Sequence, residues 1–123
     1  MSISVLVIDD DDAFRGLAVQ VLEGMGFDVV GEADTLKAGA AAAKTLRPDA
    51  MLIDVALPDG SGVGLAGDLA ALPWRPRIVL TSSDPSVVSQ SVARAAGAAA
   101  FIPKQDLPGG RLRDLLAGQA REE

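Results

Sequence analysis

Short, near-continuous apolar runs alternate with helix-period segments along the chain, and four of the runs stop at a polar or charged residue. Ile3 to Ile8 is followed by Asp9 and Asp10, and Met51 to Ile53 by Asp54. Arg77 to Leu80 is followed by Thr81, and Ala99 to Ile102 by Pro103 and Lys104. Phe27 to Val30 makes a fifth, shorter run. Runs rich in Ile, Val and Leu, with no polar alternation, are what strands covered on both faces require.

The segments between the runs carry the other period. Phe14, Leu17, Ala18, Val21, Leu22 and Met25 recur at spacings of three and four, which predicts a helix with Asp12 as N-cap and Gly26 as its stop. Thr35 to Leu46 is Ala-rich and ends at Arg47–Pro48. Val63 to Leu72, Ser86 to Ala96 and Leu107 to Leu116 are the expected third, fourth and fifth helices. VALPDGSG, directly after Asp54, reads as a turn served by Gly60 and Gly62. Trp74, between Pro73 and Pro76, reads as a packing residue in a connector. Five strand–helix units predict a doubly wound α/β sandwich with a parallel sheet and right-handed crossovers. One domain is expected over residues 1–118, with 119–123 as a short polar tail.

Composition removes whole classes of chemistry. The 123 residues include no Cys and no His, so thiol chemistry, His-based triads and the usual zinc hydrolase sites are excluded. A metal would need oxygen ligands, which points to a hard divalent cation. The net charge of −6 argues against phosphate backbones and anionic lipids as partners. The start, MSISVLVIDD, has no basic region ahead of its apolar run, so it is not read as a signal peptide. The cytoplasm is the expected compartment.

A ligand site in such a sheet lies beyond the carboxyl ends of the strands, where the strand order switches. Asp9, Asp10, Asp54, Thr81 and Lys104 all fall there. Single polar residues at strand ends are ordinary. Three carboxylates brought together need a cation to offset their repulsion, and Mg²⁺ suits the donors. A carboxylate beside Mg²⁺ and a fixed ammonium can attack phosphorus, because charge developing on the oxygens is clamped from both sides.

At this point the residues carry a resemblance. VLVIDDDDAFR (5–15), LIDVALPDGSG (52–62), VLTSS (79–83) and GAAAFIPK (97–104) are each weak signals. All four, in order and in the right strand context, resemble the receiver domain of bacterial two-component response regulators. The resemblance implies a flavodoxin-like fold with strand order 2-1-3-4-5. It implies a phosphoryl group taken from the phospho-His of a sensor histidine kinase or phosphotransfer protein. Asp54 would be the acceptor. Asp9, Asp10, Asp54 and the carbonyl of Ala56 would hold Mg²⁺. Thr81 and Lys104 would bind phosphoryl oxygens. Thr81 and Phe101 would form a switch: Thr81, with no strong partner beforehand, would turn to the phosphoryl group, and Phe101 would rotate inward. The fourth helix, fifth strand and fifth helix would then meet a homodimer partner or an effector. The family's pattern also leads us to expect a cis peptide at Ile102–Pro103.

Some positions narrow this further. Ala56 and Ser83 lie two residues beyond Asp54 and Thr81, where the family lines the water's approach; both are small, so the resemblance implies slow self-dephosphorylation. Beyond its own phosphoryl transfer no enzyme activity is expected. A phosphohydrolase similar to the haloacid dehalogenase group is the alternative, but it needs an acid where Ala56 stands. A degenerate binding module is a second alternative, and none of the four charged positions is missing. The closing segment FIPKQDLPGGRLRDLL resembles the ends of stand-alone receivers. A stand-alone receiver is therefore expected, with the front part of a longer regulator as the alternative.

Overall fold

The computed structural model describes residues 2–118. The proposed polar tail, 119–123, lies outside the described residues. The chain runs β1 (Ser4–Ile8), α1 (Asp12–Gly24), β2 (Asp28–Ala33), α2 (Leu36–Leu46) and β3 (Ala50–Asp54). A two-residue-per-strand hairpin, Ala56–Leu57 with Gly60–Ser61, leads into α3 (Gly62–Ala70). Then come β4 (Arg77–Ser82), α4 (Gln90–Ala95) and β5 (Ala100–Pro103). A 3₁₀ turn (Lys104–Asp106) precedes α5 (Gly110–Ala117).

The five long strands form one parallel sheet in the order β2-β1-β3-β4-β5, as expected. Side chains alternate between its faces with the period of a strand. Leu6, Ile8, Met51, Ile53, Ile78, Leu80 and Phe101 pack with residues of α2, α3 and α4. Val5, Val7, Leu52, Val79 and Ile102 pack with α1 and α5. Both faces are covered, so the strands carry no polar alternation. After β1 the chain steps one way to β2, then returns past β1 to β3. That reversal opens a crevice between the carboxyl ends of β1 and β3.

The differences from expectation lie at element boundaries. Asp11, not Asp12, caps α1: its carboxylate accepts from the N–H groups of Ala13 and Phe14. The segment after Asp54 is a hairpin rather than a bare turn, with Gly60 at φ +150°. A Cβ at Gly62 would run into the carbonyl oxygen of Asp54, so that close approach requires glycine. Helix α4 begins at Gln90, not Ser86. Asp84 accepts from both the N–H and the hydroxyl of Ser86, closing a local turn that competes with helix. Helix α5 begins at Gly110, past the 3₁₀ turn and Pro108. The Ile102–Pro103 peptide is trans, against expectation, and no peptide among the described residues is cis. Pro103 has φ −57° and ψ 147° and stays in register with Ser82, so the strand keeps its extended course to this, its last residue.

Candidate functional site

Strand register sets the positions of the cleft side chains. Asp54 and Thr81 are paired neighbours at the ends of β3 and β4, and Asp9 follows the last residue of β1. Oxygens of Asp9, Asp10 and Asp54 lie within 4.8 Å of one another. Asp9 is 1% exposed and Asp54 6%, whereas Asp10 is open to solvent.

Asp9 is anchored from several sides. Its N–H donates to Ala33 O at 2.9 Å, and its Oδ1 accepts from Asp11 N–H at 2.9 Å. Its Oδ2 lies 2.8 Å from Lys104 Nζ as an ion pair, yet this buried oxygen has no aligned hydrogen-bond donor. Asp54 Oδ1 accepts from Ala56 N–H at 3.2 Å, and Oδ2 from Lys104 Nζ at 3.4 Å. Lys104 thus bridges two carboxylates. Its Nζ also sits 4.1 Å from the centroid of the Phe14 ring, an attraction between the cation and the ring face.

The electrostatics follow from these contacts. Burial pushes the Asp54 carboxyl above its ordinary value. The Ala56 N–H opposes the shift, the Asp9 charge adds to it, and Lys104 partly offsets it. Burial disfavours the charge on Lys104, but Asp9 and Asp54 together outweigh burial and raise its pKa.

The donor set fits a hard divalent cation. Every side-chain donor is a carboxylate oxygen, and the buried Asp9 Oδ2 is met by the Lys104 ammonium at 2.8 Å, which leaves a lone pair for a cation. Asp10, the exposed member, gives the site an open side.

Two expected switch residues stand differently from the reading of the sequence. Thr81 has a partner: its hydroxyl donates to Ile102 O at 2.7 Å, across the β4–β5 pair. Phe101 already faces the core at 2% exposure, among Leu80 and Ala93. Its backbone is held by a side chain the sequence did not single out. Gln90 donates from Nε2 to Phe101 O at 2.6 Å and accepts from Phe101 N–H at 3.0 Å. This fork imitates a neighbouring strand along the sheet edge, and a lone Gln eleven residues away gives no sign of it. Phe14 over Lys104 and Asp59, which accepts from Leu36 and Lys37 N–H at the start of α2, were likewise silent.

Fold and side chains together define a class: a doubly wound domain with a carboxylate–lysine cleft at its topological switch. A family model described as the response regulator receiver domain matches residues 5–115. The chain belongs to that family. It is 37% identical to the KDP operon transcriptional regulatory protein KdpE of Escherichia coli, over 82% of this chain and 44% of that protein. It is 34% identical to the DNA-binding transcriptional activator DevR/DosR of Mycobacterium tuberculosis, over 96% of this chain and 56% of that one. The chain thus spans about half the length of the curated relatives it matches. A CheY-like receiver domain protein from Methanospirillum hungatei superposes with TM-score 0.81 at 26% identity, covering 97% of each chain.

Proposed function

We propose that the chain is the phosphoacceptor domain of a two-component system, with Asp54 as the acceptor. The observation that carries this is the setting of Asp54: a buried carboxylate of raised basicity, held between Lys104 and the Asp9–Asp10 pair. An Asp54 oxygen attacks the phosphorus of a phospho-His on a sensor histidine kinase or phosphotransfer protein. An acyl-phosphate P–O bond forms, the P–N bond breaks, and its electron pair stays on the imidazole nitrogen.

Asp9, Asp10, Asp54 and the carbonyl of Ala56 would hold Mg²⁺, which when bound would neutralise charge on the transferred oxygens. Lys104 supplies a second positive charge to them. Thr81 turns its hydroxyl toward a phosphoryl oxygen. To do so it must leave Ile102 O, so its net gain is smaller than that of a free hydroxyl. No acid stands two residues after Asp54, where the phosphohydrolase alternative needs one, so activity beyond this self-modification is not part of the reading.

The output face comprises α4, β5 and α5. Val87, just ahead of α4, and Val92, on it, are 46% and 50% exposed, an apolar offering to a second copy or an effector. Among the described residues no helix is long and apolar enough to cross a membrane. We assign the protein to the cytoplasm and give this domain no direct nucleic acid contact.

Intact mass spectrometry after treatment with acetyl phosphate and Mg²⁺ tests the reading. The wild type should gain the mass of one phosphoryl group and Asp54→Ala should gain none. A fully modified Asp54→Ala protein overturns it.

A further inference from the structure

Arg15 makes three side-chain hydrogen bonds beside the cleft, and the phosphoacceptor reading gives it no task. Its side chain is 17% exposed and donates in three directions. Nη1 reaches the main-chain oxygen of Asp9 at 2.7 Å, Nη2 reaches Asp12 Oδ1 at 2.7 Å, and Nε reaches Glu32 Oε1 at 3.0 Å. A planar guanidinium can serve three acceptors at once in fixed directions, which an ammonium cannot.

The bond to Asp9 O matters most for the cleft. With it, every polar atom of Asp9 but one has a hydrogen-bond partner: N–H on Ala33 O, Oδ1 on Asp11 N–H, and O on Arg15. The atom left over is Oδ2, buried beside Lys104. The carbonyl that Arg15 holds belongs to the peptide that leads into Asp10. The orientation of both carboxylates toward the cleft thus depends on a peptide plane that Arg15 fixes.

We propose that Arg15 is a positioning residue for the divalent-cation site, acting through the main chain of Asp9. The inference rests on the reading of Asp9 and Asp10 as metal ligands. Two effects of Arg15 oppose each other. Its charge repels a dication, and its hydrogen bond orders the ligands. Asp12 and Glu32 neutralise much of the charge, while the bond to the carbonyl is short and part-buried, so ordering dominates.

Mg²⁺ titration followed by the backbone amide signals of Asp10 and Asp11, alongside thermal melts, tests this without any phosphodonor. In Arg15→Gln, Kd should rise about tenfold, the lower end for residues that orient metal ligands. Glu32→Gln breaks the tie to β2 but keeps the bond to Asp9, so it should lower the melting temperature and leave Kd within about twofold of wild type. Should Arg15→Gln not fold, Arg15→Lys carries the test, with a Kd at least about threefold weaker. Unchanged or tighter binding in the folded Arg15 variant overturns the proposal. So does equal weakening in Glu32→Gln, which would place the effect in the α1–β2 bridge. A wild type that shows no Mg²⁺ response overturns the metal reading itself, and the role of Arg15 with it.

Discussion

The cleft and the α4–β5 edge are built in different ways. In the cleft, Asp9, Asp54 and Thr81 stand where sheet register puts them, at the ends of three central strands whose neighbours are buried. At the edge, β5 pairs with β4 on one side only, and part of its other side is held by the Gln90 fork. The segment before α4 is held by local bonds among Ser82, Asp84 and Ser86. Displacing a central strand end means repacking two hydrophobic layers. Displacing the exposed segment before α4, around Asp84 and Ser86, means exchanging a few hydrogen bonds. The cleft is therefore the stiffer region, and the segment before α4 the one with the least packing to hold it.

Lys104→Met should break the cleft most severely. It leaves Asp9 Oδ2 buried without its counter-charge beside Asp54, at a cost of about 3 kcal/mol in urea unfolding. Adding Asp9→Asn should restore part of that loss, which a double-mutant cycle reads directly. Additive losses would show that the ion pair does not couple the two residues.

Gln90→Ala should act on the edge alone. Two hydrogen bonds to Phe101 disappear, worth about 1–2 kcal/mol together, and the Phe101 amide should exchange faster with solvent. Phosphorylation of Asp54 should proceed as in wild type. A slowed phosphorylation would mean that edge and cleft are not separable.

A smaller effect sharpens the cap assignment. Asp11→Ala should cost about 1 kcal/mol, because two N–H groups at the start of α1 lose their acceptor. Asp12→Ala, removing an exposed ion pair to Arg15, should cost less, about 0.5 kcal/mol. The folded-state pKa of Asp54 is raised, so its charge disfavours the fold once pH rises above the unfolded value through the folded one. Asp54→Asn should therefore raise the melting temperature at neutral pH, and the gain should fade as pH drops below the ordinary Asp range. A gain that persists in acid would assign the effect to packing instead.

The same division explains what the sequence disclosed. Asp9, Asp54, Thr81 and Lys104 were legible because each ends an apolar run, and a parallel sheet brings such ends to one edge. Strand order followed from the family resemblance and matched. The start of α4 was misplaced because Ser, Val and Ala tolerate helix, while Asp84 and Ser86 spend their side chains on a turn. The partners of Thr81 and Phe101 were hidden for another reason. Ile102 O and the Gln90 amide reach them across strands and helices, and no local pattern encodes such a meeting. The Ile102–Pro103 bond, expected cis from the family's pattern, is trans in a strand that continues to Pro103.

Trp74 donates from its indole N–H to Pro48 O at 2.8 Å and lies under the guanidinium of Arg47, 4.4 Å from the ring centroid. Pro48 and Trp74 precede the first residues of β3 and β4, whereas Asp54 closes β3 and Thr81 lies one residue before the end of β4. Five residues of strand, roughly 16 Å, separate the two poles. The chain's only tryptophan is therefore an optical gauge of whether the fold is intact, and nearly blind to events among the carboxylates. Its emission should stay constant while the cleft is loaded and collapse only when the sheet itself comes apart. One cuvette can thus report loss of structure against a background of changing occupancy, with the two signals never mixed.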